Sequence, residues 1–159
     1  QPIKLVSEAD RVTSTKQKPR DNSASTDVEG IFVTGKPYPR EYDGAKIGTA
    51  ARKLKQIYPK GQLRTGSGNE GSSFEVKLNG KPFDRVVYFF STDAEPVVSY
   101  VTFWVSKDLA DKVRRDAMLK LGWAEMEPTS AGRRFIWKSI AGVRVEIDKE
   151  MFMILPLVR

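Results

Sequence analysis

The sequence predicts an α+β domain: an antiparallel sheet of about six to eight strands with two helices on one of its faces. Three observations lead there. Two segments carry apolar residues at helical spacing. Each is followed by short runs of alternating, β-branched and aromatic residues separated by turn chemistry. Finally, 159 residues with 40% hydrophobic and 30% charged content suit one ordinary globular domain plus a tail.

Residues 1–44 read as a flexible N-terminal arm followed by a turn-rich segment. The first 27 are rich in Lys, Arg, Ser, Thr and Asp without sustained periodicity. Such composition buries too little apolar surface to offset its ordering entropy. Ile31, Phe32 and Val33 spell a short strand, and residues 35–44 (GKPYPREYDG) supply turns. The folded domain is therefore expected over residues 45–159. The start at Gln1 and the polar stretch after it fit a mature envelope or exported protein, so a periplasmic or secreted location is expected.

Residues 46–58 place Ile47, Ala50, Leu54, Ile57 and Tyr58 on one helical face and Arg52, Lys53, Lys55 and Gln56 on the other, with Pro59 and Gly61 as stops. Strands are expected at 62–64, 73–78, 85–91 and 97–105. Asn79-Gly80 and residues 93–96 form the turns. Residues 107–121 form the second helix, with Ala110, Val113, Ala117 and Leu121 inward. Ser106 is its expected N-cap and Gly122 its C-terminal cap. Strands at 123–127, 133–139, 143–148 and 151–157 complete the chain.

Helix plus four strands thus occurs twice, over about 45–106 and 107–159, within the range of repeat periods. Neither half alone buries much core, so one sheet lined by both helices is the expected solution. The layout is similar to the tandem helix-plus-sheet family of β-lactamase inhibitor proteins, and to the small helix-hairpin modules of bacterial envelope lipoproteins. The likeness is architectural: no residue-level motif is shared, and the inhibitor family's disulfides have no counterpart in a chain without cysteine.

The chain has neither Cys nor His. That removes thiolate chemistry, the commonest neutral-pH general base and the commonest transition-metal ligand. Residues 66–71 (GSGNEG) match G-x-G-x-x-G, but an alternating strand follows where a dinucleotide site needs a helix. The match reads as an inter-strand loop, with no cofactor expected. Asp93 with Glu95 lie in a turn, and Glu146, Asp148 and Glu150 alternate with or follow apolar strand residues; both sets read as solvated surface. No enzymatic activity and no metal site are expected.

The net charge of +7 lies entirely in residues 46–159, which hold twenty Lys/Arg against thirteen Asp/Glu. Basic clusters stand at Arg52/Lys53/Lys55, Lys112/Arg114/Arg115 and Arg133/Arg134/Lys138. This field suits an acidic protein, anionic head groups or nucleic acid. No recognition-helix or RNA-binding aromatic signature accompanies it.

Both faces of the expected sheet are aromatic. In 97–105, Val101 and Phe103 alternate with Tyr100, Thr102 and Trp104; in 85–91, Val87 and Phe89 alternate with Val86, Tyr88 and Phe90. A half-solvated antiparallel sheet should alternate more cleanly. Either the N-terminal segment covers the second face, or a Tyr/Trp/Arg surface stays open. Tyr88, Tyr100, Trp104, Arg134 and Trp137 are the candidate partner-binding residues. Strand parity puts Trp137 and Arg134 on opposite faces, so one of those two must fall away. The expected function is a non-enzymatic protein-binding module, inhibitor-like or assembling. The alternatives are a basic nucleic-acid-binding module and a His-free hydrolase or nuclease.

Overall fold

In the computed structural model, residues 30–66 and 71–157 are described. A 3₁₀ turn (Ala51–Lys53) runs into a short helix α1 (Leu54–Ile57). Strands β1 (Gln62–Arg64), β2 (Ser73–Lys77), β3 (Phe83–Phe90) and β4 (Val98–Val105) follow. Helix α2 (Ala110–Leu121) then leads to β5 (Glu125–Thr129), β6 (Gly132–Ile140), β7 (Val143–Ile147) and β8 (Met151–Pro156). The strands form one antiparallel sheet in the order β1-β2-β3-β4-β8-β7-β6-β5, so two meanders meet along a β4–β8 seam.

The seam pairs Val101 with Ile154 and Phe103 with Phe152, all fully buried. On that face Leu54 of α1 and Val113, Ala117 and Leu121 of α2 join the same core. Both helices therefore lie on one side of the sheet. Phe83 and Phe103 pack with ring centroids 4.8 Å apart at its centre.

The first helix is far shorter than its sequence pattern. Residues 48–51 spend their backbone groups on the start of β4 and its approach. Gly48 N donates to Val98 O, Val98 N to Thr49 O, and Ala51 N to Pro96 O, with Ala50 bridging Val97. Gly48 sits at φ +96°. Tertiary hydrogen bonds override a weak local preference.

Residues 31–42 pack on the same face of the sheet as the helices. Ile31–Val33 forms no strand, yet Phe32 is fully buried, edge-on to Phe152 at 5.1 Å. Tyr42 meets Phe103 edge-on at 5.6 Å, and Tyr38 is buried. Helix α2 clamps the backbone of Phe32. The Asp116 carboxylate accepts its N–H at 2.9 Å, and Lys120 Nζ donates to its carbonyl at 3.1 Å. Asp116 and Lys120 also pair with each other at 3.1 Å, and Gly35 N donates to Lys120 O. The packed domain therefore reaches back to Ile31, and a boundary at residue 45 is too late. The arm expected over the first 27 residues lies outside the described residues.

Helix α2 starts at Ala110, later than its pattern suggests, because Asp108 adopts φ +70°. Ser106 does not cap it: its hydroxyl donates to Asp84 Oδ1 at 2.9 Å. Gly122, at φ +96°, closes the helix by donating to Met118 O.

Candidate binding face

Alternation along the strands creates a second sheet face that neither helices nor residues 31–42 reach. The register aligns Glu75, Val87, Thr102, Met153, Glu146 and Ile136 in one row across six strands. A neighbouring row runs Lys77, Arg85, Trp104, Met151, and Phe89 faces Tyr100 on the other side. Phe89 and Tyr100 stack at 4.4 Å with ring planes 9° apart. The Arg85 guanidinium lies 3.9 Å over the Trp104 ring. Met151, Met153 and Leu155 of β8 continue this apolar stripe beside Trp104 and Tyr100. Phe89, Tyr100, Trp104 and the three β8 residues all remain partly exposed.

Charge frames the stripe. On one flank Glu75 is 7% exposed and bonded by Arg64 at 2.6 Å and by Arg85 at 3.1 Å. Burial alone would raise the Glu75 pKa, but the hydrogen bonds and charges of Arg85 and Arg64 hold it below the ordinary value. On the other flank Glu146, 8% exposed, pairs with Arg144 at 2.6 Å and Arg134 at 3.8 Å. Arg134 also reaches Glu127 at 3.4 Å, and Lys138 reaches Glu125 at 3.4 Å.

The two flanks differ in balance. Among the described residues, Arg134, Lys138 and Arg144 are matched by Glu125, Glu127 and Glu146, whereas Arg64 and Arg85 pair with Glu75 and Lys77 has no ion-pair partner. From β2 to β7 is four strand spacings, roughly 19 Å. The face is thus an apolar stripe between one neutral and one cationic border.

Three of the five sequence-derived candidates stand on this face: Tyr100, Trp104 and Arg134. The other two are corrections. Tyr88 is fully buried on the helix side, where its hydroxyl donates to Tyr58 at 3.0 Å, and burial pushes its ionisation far above the usual range. Trp137 is 3% exposed there, with its indole N–H on the Gly122 carbonyl at 2.8 Å. The even members of 85–91 point into the core and the odd ones out, and single-strand alternation carries no label for inside. Within the N-terminal segment, Ile31–Val33 does not cover the second face, because Phe32 packs against Phe152 on the first, and residues 1–29 lie outside the described residues.

Glu75, Phe89, Met151, Met153 and Leu155 were missed. Their signal was present for the β8 residues, since Met151, Met153 and Leu155 alternate with the buried Phe152 and Ile154.

Other candidate chemistries take their places in the fold. Residues 67–70 of the GSGNEG stretch lie outside the described residues, but its flanks are the antiparallel pair β1 and β2. Gly71 has a steric reason of its own, because a Cβ there would come within 2.7 Å of the Phe90 carbonyl oxygen. Asp93 and Glu95 are exposed, and Asp148 is spent on its turn, accepting from Glu150 N and Met151 N at 2.9 Å each. Among the described residues no three metal-ligating side chains gather. The basic clusters disperse: Arg114 turns in over Phe135 at 5.0 Å, while Arg133 lies on the opposite face from Arg134 and Lys138.

No protein-family model matches this chain, and no curated protein and no solved structure shows significant similarity to it.

Proposed function

We propose that the helix-free face is a protein-binding surface, and that the chain is a non-enzymatic binding module of the bacterial envelope or exterior. The observation that carries this reading is the partly exposed stripe of Phe89, Tyr100, Trp104, Met151, Met153 and Leu155 on the face opposite both helices. A lone exposed apolar residue means little, but a contiguous aromatic and methionine stripe bordered by arginine has the composition of interface cores. Trp104 is its anchor, held flat by Arg85 before any partner arrives. The cationic border at Arg64, Lys77 and Arg85 favours a partner whose rim is acidic on that side.

The element order, one helix and four strands twice over, fits an internal duplication with the layout of β-lactamase inhibitor proteins. Nucleic acid is the weaker reading. The cations are split between two faces and largely paired on this one, which does not make a continuous phosphate track.

The test is photo-cross-linking in the native envelope fraction, with a benzophenone side chain placed at Tyr100 or, as control, at exposed Lys53. A discrete protein adduct from the first position and not the second is expected. Equal, diffuse labelling from both positions would refute the proposal.

A further inference from the structure

A second surface stands apart from that face. Trp123 is 91% exposed, Leu119 71% and Met126 59%. Trp side chains are highly buried on average, so a Trp held almost wholly in water is the exception that asks for a reason. It is not hung on a loose loop. Gly122 turns the chain at φ +96°, and its carbonyl is held by the buried Trp137 indole at 2.8 Å. Trp123 follows directly and opens the short connection to β5.

The outer stripe of α2 leads to this corner. Lys112, Arg115 and Leu119 follow one another at three- and four-residue spacing, and all three are exposed. Lys120 points the other way, to Phe32 and Asp116. Arg133 lies beside Met126, with Nη1 3.6 Å from its sulfur. Among the described residues, Lys112, Arg115 and Arg133 have no ion-pair partner. The nearby carboxylates are engaged elsewhere: Asp111 with Arg114, Glu125 with Lys138 and Glu127 with Arg134.

We propose that this surface, Trp123 with Leu119 and Met126, flanked along α2 by Lys112 and Arg115 and at the start of β6 by Arg133, docks on an anionic lipid surface. Charge complementarity supplies the first reason: Lys112 and Arg115 extend the Leu119 stripe along α2 and Arg133 lies beside Met126, and none of the three has an ion-pair partner among the described residues. Shape supplies the second. At 91% exposure Trp123 has no walls around it, and a lipid interface closes around a projecting ring without a preformed pocket. Trp resides at the level of lipid head groups, and Lys and Arg beside it reach anionic phosphates while their stems lie on apolar surface. No helix among the described residues is long and apolar enough to cross a membrane, and docking of this kind needs none. One Trp, one Leu and one Met make a shallow contact, so binding is weak, reversible and dependent on anionic lipid.

The experiment is co-sedimentation of the full chain with phosphatidylcholine vesicles, with and without phosphatidylglycerol, together with tryptophan emission. Capture is expected only with the anionic lipid, accompanied by a blue shift, and released by salt. Trp123→Ala should weaken it about tenfold and abolish the shift, as an interfacial Trp anchor requires. Lys112→Glu and Arg115→Glu should each cost at least about fivefold, and Trp104→Ala nothing. Unchanged capture by Trp123→Ala would overturn the proposal. So would capture by neutral vesicles alone, or a concentration-dependent blue shift without vesicles, which would assign the corner to a second copy or another protein.

Discussion

Replacing Asp116 by Ala tests how the domain is closed. Its carboxylate is buried, accepts the Phe32 N–H at 2.9 Å and pairs with Lys120 Nζ at 3.1 Å. The substitution orphans a buried amide and removes the carboxylate from the Lys120 ammonium, whose side chain is 18% exposed and which keeps its bond to the Phe32 carbonyl. Breaking a buried pair costs about 3–5 kcal/mol. Partial access of Lys120 to water reduces that, so about 3 kcal/mol is expected here. For a domain of this size the melting temperature falls by roughly 10 °C. Asp116→Asn keeps an acceptor for Phe32 and should lose only about 1–2 kcal/mol. Hydrogen exchange should show the Phe32 and Gly35 amides opening early in the alanine variant. If Asp116→Ala lies within about 0.5 kcal/mol of the parent in urea unfolding, the clamp does not hold this segment.

Two further outcomes follow from the packing. Glu75 has a folded pKa below its unfolded value, so its stabilisation is present above the unfolded value and is lost as pH falls through the folded one. Unfolding measured downward from about pH 5 should show a declining acid limb that Glu75→Gln flattens; an identical limb in both proteins would contradict the assignment. A Cβ at Gly61 would overlap the ring of buried Phe74. Gly61→Ala should therefore cost about 1–3 kcal/mol in chemical denaturation, and no loss would mean the ring moves aside freely.

Much of the fold was legible because sheets write themselves in period two. The eight strands fall within about two residues of where alternating residues and turn chemistry put them, though β5 runs Glu125–Thr129 and leaves Trp123 outside it, and Val101/Phe103 against Tyr100/Trp104 correctly separates two faces. The first helix was overread because Ile47 and Ala50 satisfy helical spacing while their neighbours' backbone groups bond to Val98 and Pro96. Those partners lie some fifty residues away and leave no local trace. That Ile31, Phe32 and Tyr38 are buried on the helix side, not over the second face, is equally non-local, since a turn-rich stretch gains its core position from Asp116 and Phe152.

At the candidate face, parity alone could not say which set looks inward. Tyr88 and Trp137 went to the core because α1 and α2 lie above them, and helix placement is a tertiary fact. The pairing of Glu75 with Arg64 and Arg85 depends on the register of three strands, which no single strand encodes.

The central claim separates two tryptophans by role, and Trp104→Ala measured beside Trp137→Ala tests it most directly. Trp104 is partly exposed on the open stripe; Trp137 is 3% exposed beneath the end of α2. With the partner identified by cross-linking, both variants are assayed for binding and thermal unfolding. Trp104→Ala should weaken binding by about 2 kcal/mol, roughly thirtyfold, while costing less than about 1.5 kcal/mol of stability. Trp137→Ala should lose about 3–5 kcal/mol of stability as a core truncation does. A Trp104→Ala protein that unfolds as early as Trp137→Ala, or that binds its partner as tightly as the parent, would contradict the account.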